Sequence, residues 1–481
     1  MAQKNTPEIT VDASPTKEFF IDILVRDIQL DFAIAELIDN SIDGAKQLRQ
    51  SELKSMPDKN GADGKPFSGL YINVKFDKNE FKIEDNCGGI GVEIARKYAF
   101  KFGRTSDTPK VNRSIGQFGV GMKRALFKLG RFFQIESVAK DSSFLLNQDV
   151  DEWKQESNKD EHGFEKWEFE FDKVEENQNN DVKNCGTTII VTKLNDSIKK
   201  ELELKKFQNR LIELIENQQA ESLAHGIKIT INDYSLKTTD FKLLSSSEIK
   251  PIYSVKQHTV KTDEKKGVVK VSIFAGVGRE AKLLEAGWYI FCNGRMVVKA
   301  DKTSLTGWEL RDLKDANTDD SDEKSASTPK AHYQFAHFRG FVYFESEDSV
   351  LLPWNTTKSS IDTESPVFQT TRLEMISALR QVIDFLNNLD KERRRGESFL
   401  ANKMSEATEA SIGDISARSA AFKAPKSKFD PKKPETVKIT YHKPTEEFEI
   451  AKKLLKANSA KEVGEETFRF YLNMQKVKGA K

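Results

Sequence analysis

AIAELIDNSIDGAKQ (residues 33–47) sets the fold of this 481-residue chain, and two glycine-bearing stretches extend it: IEDNCGGIG (83–91) and SIGQFGVGMKRALFKLG (114–130). Apolar Phe32, Ala35, Leu37 and Ile38 recur at mixed three and four spacing, which predicts one helix over 17–49. Glu36, Asn40 and Asp43 then lie about one turn apart on its polar face. Glu36 can act as a base or orient a water, and Asn40 offers the neutral, hard oxygen that Mg2+ accepts. Asp43 continues that face. An ordinary solvated helix would show the same residue types, so this stretch decides nothing alone.

The second stretch ends a strand, FKIED (81–85), which a DKNE turn joins to LYINVKF (70–76). A partly buried Asp85 there could accept a hydrogen bond from the exocyclic amine of adenine; guanine presents an acceptor at that point and would leave the carboxylate unpaired. Gly88, Gly89 and Gly91 permit close backbone approach, although Asp-Asn before Gly is also ordinary turn chemistry. In the third stretch Gly116, Gly119 and Gly121 precede a helix from Met122, whose first N–H groups could cradle phosphates, with Lys123 adding a cation. FFQIESV (132–138) and TTIIVTKL (187–194), the latter carrying Thr187 and Thr188, are predicted as later strands of the same sheet. An acid–Asn helix, a strand ending in Asp, a Gly-rich segment before a helix and a late TT strand, in that order, predict a Mg-dependent ATP site.

ELIDNSID, EDNCGGI and IGQFGVGMK resemble the N, G1 and G2 boxes of the GHKL ATPases, the superfamily of gyrase B, heat-shock chaperones, histidine kinases and MutL proteins. FGRTSDTPKVNRSIGQFGVGMKRALFKLG (102–130) is most similar to the microrchidia (MORC) proteins. The resemblance implies an α/β fold, a two-layer Bergerat sandwich, with Mg-ATP, Glu36 as general base, Asn40 on Mg2+, Asp85 on adenine and Thr188 in the water network beside it. Cys87 departs from the pattern, standing where the first glycine of the G1 box is usual. GWYIFCNGRMVVK (287–299) looks like a transducer strand, and LPWNTTKSSID (352–362) resembles the loop that sends a lysine toward the γ-phosphate, which makes Lys358 the candidate. A solvated loop lysine is the plain alternative.

The resemblance covers 17–395. It implies an ATPase domain (17–222) and a transducer-type, ribosomal protein S5-like α/β domain (223–395). GIKITIN (226–232) opens the second strand-rich region, and a helix over 366–392 closes it, its Leu373, Ile376, Leu379, Ile383, Leu386 and Leu389 packing on the domain's own sheet or in a dimer coiled coil. A second helical stretch is predicted over 196–220. Residues 313–332 and Ser405–Lys443 are polar and expected to lack order, which gives a disordered basic linker (396–445) before a small helical module (446–481) with two amphipathic helices around NSAKEVG.

Composition narrows the classes. Hydrophobic residues make up 37% of the chain, enough for two or three cores, and no run is apolar enough to span a membrane, so no membrane role and a cytoplasmic location are expected. Three cysteines are too few for a disulfide framework. All six histidines, from His162 onward, follow the first motif, whereas a histidine kinase needs a phosphoacceptor upstream of it. Neither a long DNA-cleaving portion nor an acidic endonuclease motif is present. An ATP-dependent homodimer clamp of MORC type is the favoured expectation, acting in DNA maintenance, silencing or defence, with a chaperone-like ATPase on a protein client as the alternative. The net charge of +1 hides 8 Lys or Arg against 2 acidic residues between Arg418 and Lys443, a segment that could hold DNA phosphates or serve as a tether. A protein partner is expected at the C-terminal module.

Overall fold

The computed structural model describes residues 15–50, 53, 65–103, 113–116, 119–155, 166–261, 266–309, 328, 332–427 and 439–474. Tyr71–Phe76 (β1) and Phe81–Asp85 (β2) form the expected hairpin, and the Asp77 carboxylate closes its turn by accepting from the N–H of Asn79 at 2.7 Å and of Glu80 at 3.0 Å. Gly130–Val138 (β3), Ser143–Asp149 (β4), Lys173–Glu175 (β5), Gly186–Leu194 (β6), Lys228–Ile231 (β7) and Tyr234–Ser235 (β8) complete an eight-stranded sheet ordered β5-β4-β3-β6-β2-β1-β7-β8. Alternation buries Ile72, Val74, Phe81, Ile83, Phe133, Ile135 and Val191 on one face. GIKITIN therefore belongs to the first sheet: β7 lies parallel to β1, with Ile72 opposite Ile229, and does not open the second region.

Helices Lys17–Arg26 (α1), Leu30–Leu48 (α2), the short Val92–Ile94 (α3) and Gly121–Leu129 (α4) supply the other layer. The single helix expected over 17–49 is broken at residues 27–29. Gln29 takes extended backbone there (φ −74°, ψ 154°), and the Lys128 ammonium caps the end of α1 by donating to the Val25 carbonyl at 3.0 Å. After the four-residue helix Val150–Trp153 (α5), the stretch from 196 forms three helices, Asp196–Leu202 (α6), Lys205–Gln218 (α7) and Ala220–Ala224 (α8). The breaks let Ile198, Leu202, Phe207, Leu211, Ile215 and Leu223 all reach the core.

A second, five-stranded sheet runs β10-β11-β14-β12-β13, from Ile252–Lys261 (β10), Lys266–Val277 (β11), Gly287–Cys292 (β12), Arg295–Asp301 (β13) and Phe338–Glu345 (β14), with β12 and β14 parallel. The long helix Pro366–Arg394 (α9) buries Ile376, Leu379, Ile383 and Leu386 within this same compact unit, so the stripe packs at home and not in a coiled coil. Leu373, counted in that stripe, is exposed.

The order expected to be missing from 396 onward is present as far as residue 427. Phe399–Glu406 (α10) buries Leu400 and Met404, and Thr408–Ser411 (β15) pairs antiparallel with Lys242–Ser245 (β9). Ser419 and Lys423 bridge to Tyr253 and Lys250, and Phe422 meets Phe385 edge-on at 5.5 Å. A few well-spaced apolar side chains anchor a segment whose average composition is polar. Residues 428–438 and most of 313–332 lie outside the described residues.

A second unit comprises Lys391–Glu397 and residues from Phe429 onward. Its helices Thr445–Leu455 (α11) and Ala460–Met474 (α12) turn at Lys456, which takes φ 51°, and Ser459 Oγ accepts from the Glu462 N–H at 3.2 Å as an N-cap. Val463 and Ala457 are buried.

Leu400→Ala should lower the unfolding free energy by about 2–5 kcal/mol, the usual cost of truncating a fully buried leucine. Chemical denaturation checks this; an unchanged midpoint would mean that α10 does not pack.

Candidate active site

Helix α2 presents its polar face toward the second sheet. Glu36, only 4% exposed, accepts from the Lys358 ammonium at 2.7 Å through Oε2, and the same ammonium lies 3.4 Å from Asp39 Oδ2. Asp39 is fully buried: Oδ2 also accepts from Arg295 Nη1 at 2.6 Å, and Oδ1 from Gln219 Nε2 at 2.8 Å. Two carboxylates and two cations thus alternate in one buried cluster, with Gln218 accepting a further bond from Arg295 Nη2 at 3.1 Å. Lys358 reaches it from a self-bonded loop. Asn355 Oδ1 accepts from the N–H of Ser359 at 2.9 Å and of Ser360 at 3.3 Å, and Lys358 itself takes φ 52°, unusual for a residue with a side chain.

Asn40 follows Glu36 by one turn and is exposed. A Cβ at Gly116 would come 3.8 Å from its Oδ1 and 3.2 Å from Asp43 Oδ2. Asp43 grips backbone: Oδ1 accepts from the Ile115 N–H and Oδ2 from the Gly116 N–H, both at 2.7 Å. Burial pushes its carboxyl up, while the Lys46 charge and those two N–H groups pull it back.

At the end of β2, Asp85 accepts from Ser41 Oγ at 2.6 Å and from the Cys87 N–H at 2.8 Å, so α2 and the G1 turn meet on one carboxylate. Burial raises its pKa against these bonds and the Thr187 N–H. Thr187 lies opposite Asp85 and Ser137, with Oγ1 3.0 Å from Ser137 Oγ, whereas Thr188 pairs with Glu84 and Glu136 on the reverse face. The threonine beside Asp85 is thus Thr187 and not Thr188. Gly89 has φ +66°, and a Cβ there would strike the Val138 carbonyl. Cys87 fits in the glycine position because its buried side chain points at the Tyr71 carbonyl, with Sγ 3.9 Å from it.

Gly121 opens α4 directly against the base: a Cβ there would overlap the Glu36 carboxylate. Lys123 faces elsewhere than expected. Its ammonium donates to the carbonyls of Ala99 at 2.9 Å, of Lys101 at 2.7 Å and of Gly119, which occupies the three donors an ammonium has. It therefore fastens the glycine segment to the end of the π-helical stretch Ala95–Ala99 that follows α3. Residues 104–112, 117 and 118 of that segment lie outside the described residues.

Several participants, Arg295 and Gln219 among them, are not legible in the sequence. Asp39 and Ser41 sit inside the first motif, but nothing in their spacing says that one meets an arginine 256 residues away and the other a strand end. Lys46 donates to the Arg113 carbonyl at 3.0 Å and to the Asn293 carbonyl at 2.8 Å, and burial lowers its pKa against the pull of Asp43. Asn293 in turn donates to the Ser114 carbonyl at 3.1 Å, so the turn before Arg295 holds the root of the glycine segment.

Asp43→Ala would leave two N–H groups without an acceptor, a loss of roughly 1–3 kcal/mol. Tryptic cleavage after Arg113 should then speed up by about one to two orders of magnitude. An unchanged rate would remove Asp43 as the anchor.

Among the described residues, Asn40 offers an exposed amide oxygen of the neutral, hard type that Mg2+ accepts, next to Gly116 of the glycine segment. No helix among the described residues is long and apolar enough to cross a membrane. No curated protein matches the chain. Residues 28–181 match the family model of the histidine kinase-, DNA gyrase B- and HSP90-like ATPases, a match that spans the α2 face, the Asp85 turn and the glycine segment, and supports a GHKL-type domain that binds and hydrolyses ATP in this part of the chain.

Proposed function

We propose that the chain is a Mg-dependent, MORC-like ATPase whose closure on ATP clamps a second copy of itself around DNA. The observation that carries the catalytic part is the 2.7 Å contact between Lys358 and Glu36, which brings a cation from the second sheet's loop onto the candidate base in α2. In hydrolysis, water oxygen bonds to the γ-phosphorus as the bond to the β–γ bridging oxygen breaks, Glu36 accepts the water's proton, and ADP leaves with the electron pair. Lys358 turns from Glu36 toward the γ-phosphate and neutralises charge that grows there. Asn40 would hold Mg2+, which supplies further neutralisation when bound. Asp85 reads the adenine amine, with Thr187 beside it.

The clamp reading is supported by the same contact, because a lysine from the loop after β14 would make that part of the chain sensitive to the terminal phosphate. The DNA part rests on charge: the excess of Lys and Arg between Arg418 and Lys443 suits phosphate contacts without base reading.

Glu36→Ala should cut turnover ~10²–10⁴-fold while ATP still binds, and should collect as an ATP-bound dimer on size-exclusion chromatography. Wild-type hydrolysis in that variant would refute the assigned base. Thr187→Val should weaken ATP binding, whereas Thr188→Val should not. A high-salt wash after ATP should leave more protein on circular than on linear plasmid; equal retention would favour a protein client.

A further inference from the structure

Resting on the catalytic reading above, we infer that Asp39 and Arg295 are positioning residues that keep Lys358 from locking onto the base. Lys358 has two carboxylates within reach, Glu36 at 2.7 Å and Asp39 at 3.4 Å, both on α2 and three residues apart. With Asp39 present the ammonium is shared. Without it, Glu36 is the remaining acidic partner at that point among the described residues, and a base held by a full cation inside a buried cluster is a poorer proton acceptor.

Arg295 makes the sharing affordable in electrostatic terms. It lies 2.6 Å from the same Asp39 oxygen that faces Lys358, and both Arg295 and Asp39 are fully buried. Glu36 and Asp39 against Lys358 and Arg295 leave no net charge where an anionic triphosphate must approach. When Lys358 moves to the γ-phosphate, Asp39 keeps a partner in Arg295 and does not have to follow it. Gln219 holds the other Asp39 oxygen at 2.8 Å, so the carboxylate stays fixed throughout. Arg295 begins β13 directly after the Asn293–Gly294 turn, which joins the brace to the second sheet.

Single variants leave a buried charge unpaired and are expected to unfold in part, so the decisive protein is the full-length double variant Asp39→Asn/Arg295→Gln, which removes both charges together. A fold-only role predicts that melting temperature and turnover recover together. Positioning predicts that they separate: a melting temperature close to wild type, affinity for a fluorescent ATP analogue within about threefold, KM within about threefold, and kcat at least tenfold lower. A folded double variant with wild-type kcat would overturn the inference and leave the ATPase reading standing. If the double variant does not fold, the same kcat comparison on Gln219→Leu, which frees one Asp39 oxygen and removes no charge, decides it: kcat should drop with KM unchanged, and wild-type kcat would overturn it. A wild type with no Glu36-dependent turnover would sink the ATPase reading and this inference with it.

Discussion

Four charges buried at one point, Glu36, Asp39, Lys358 and Arg295, tie α2 to both the Lys358 loop and the β12–β13 turn, and the rest of the molecule is arranged so that they can meet. Desolvating each ion is costly, and breaking such a pair by removing one partner typically costs ~3–5 kcal/mol. A cluster of this kind is therefore weak evidence for stability and stronger evidence for use. It demands near-neutral sum, short distances and close fit of three segments far apart in sequence. Those demands explain the strained backbone at Lys358 and the fully buried Arg295, which no core would otherwise need.

Around the cluster, two other carboxylates do mechanical tasks. Asp85 joins α2 to the end of β2 through Ser41, and Asp43 joins α2 to the root of the glycine segment. In both, burial raises the carboxyl and donated hydrogen bonds pull it back, as expected for groups withdrawn from water and then satisfied by protein. One helix thus holds the candidate base, the candidate metal ligand, the strand end and the root of the glycine segment. A shift of α2 would disturb all four together.

Much of this is legible in the amino-acid sequence. Period-two runs mark β1, β2, β3 and β6, and the polar spacing places Glu36, Asn40 and Asp43 on one face, because both follow from local geometry. What the sequence hides is decided by distance. Thr187 and Thr188 are equivalent in sequence, and only the register of β6 against β2 says which one faces Asp85. Lys123 reads as a phosphate ligand from its place after the glycines, yet the nearby carbonyls of Ala99 and Lys101 accept its hydrogen bonds. GIKITIN looks like the start of a new domain, but an edge beside β1 is where its apolar side chains are buried. The packed stretch up to residue 427 is hidden for a different reason: averaged composition cannot reveal that Leu400, Met404, Ile412 and Phe422 are spaced to meet prepared surfaces.

The Asn293–Gly294 turn shows how a small rigid element can link these parts. Its residues take φ 47° and 83°, the left-handed pair of a tight hairpin turn, so the two strand ends beside it are fixed in relation to each other. Asn293 holds the Ser114 and Ser346 carbonyls at 3.1 and 3.0 Å, and Arg295, two residues on, holds Asp39. One hairpin thus holds both the root of the glycine segment, at Ser114, and the buried charge cluster, at Asp39.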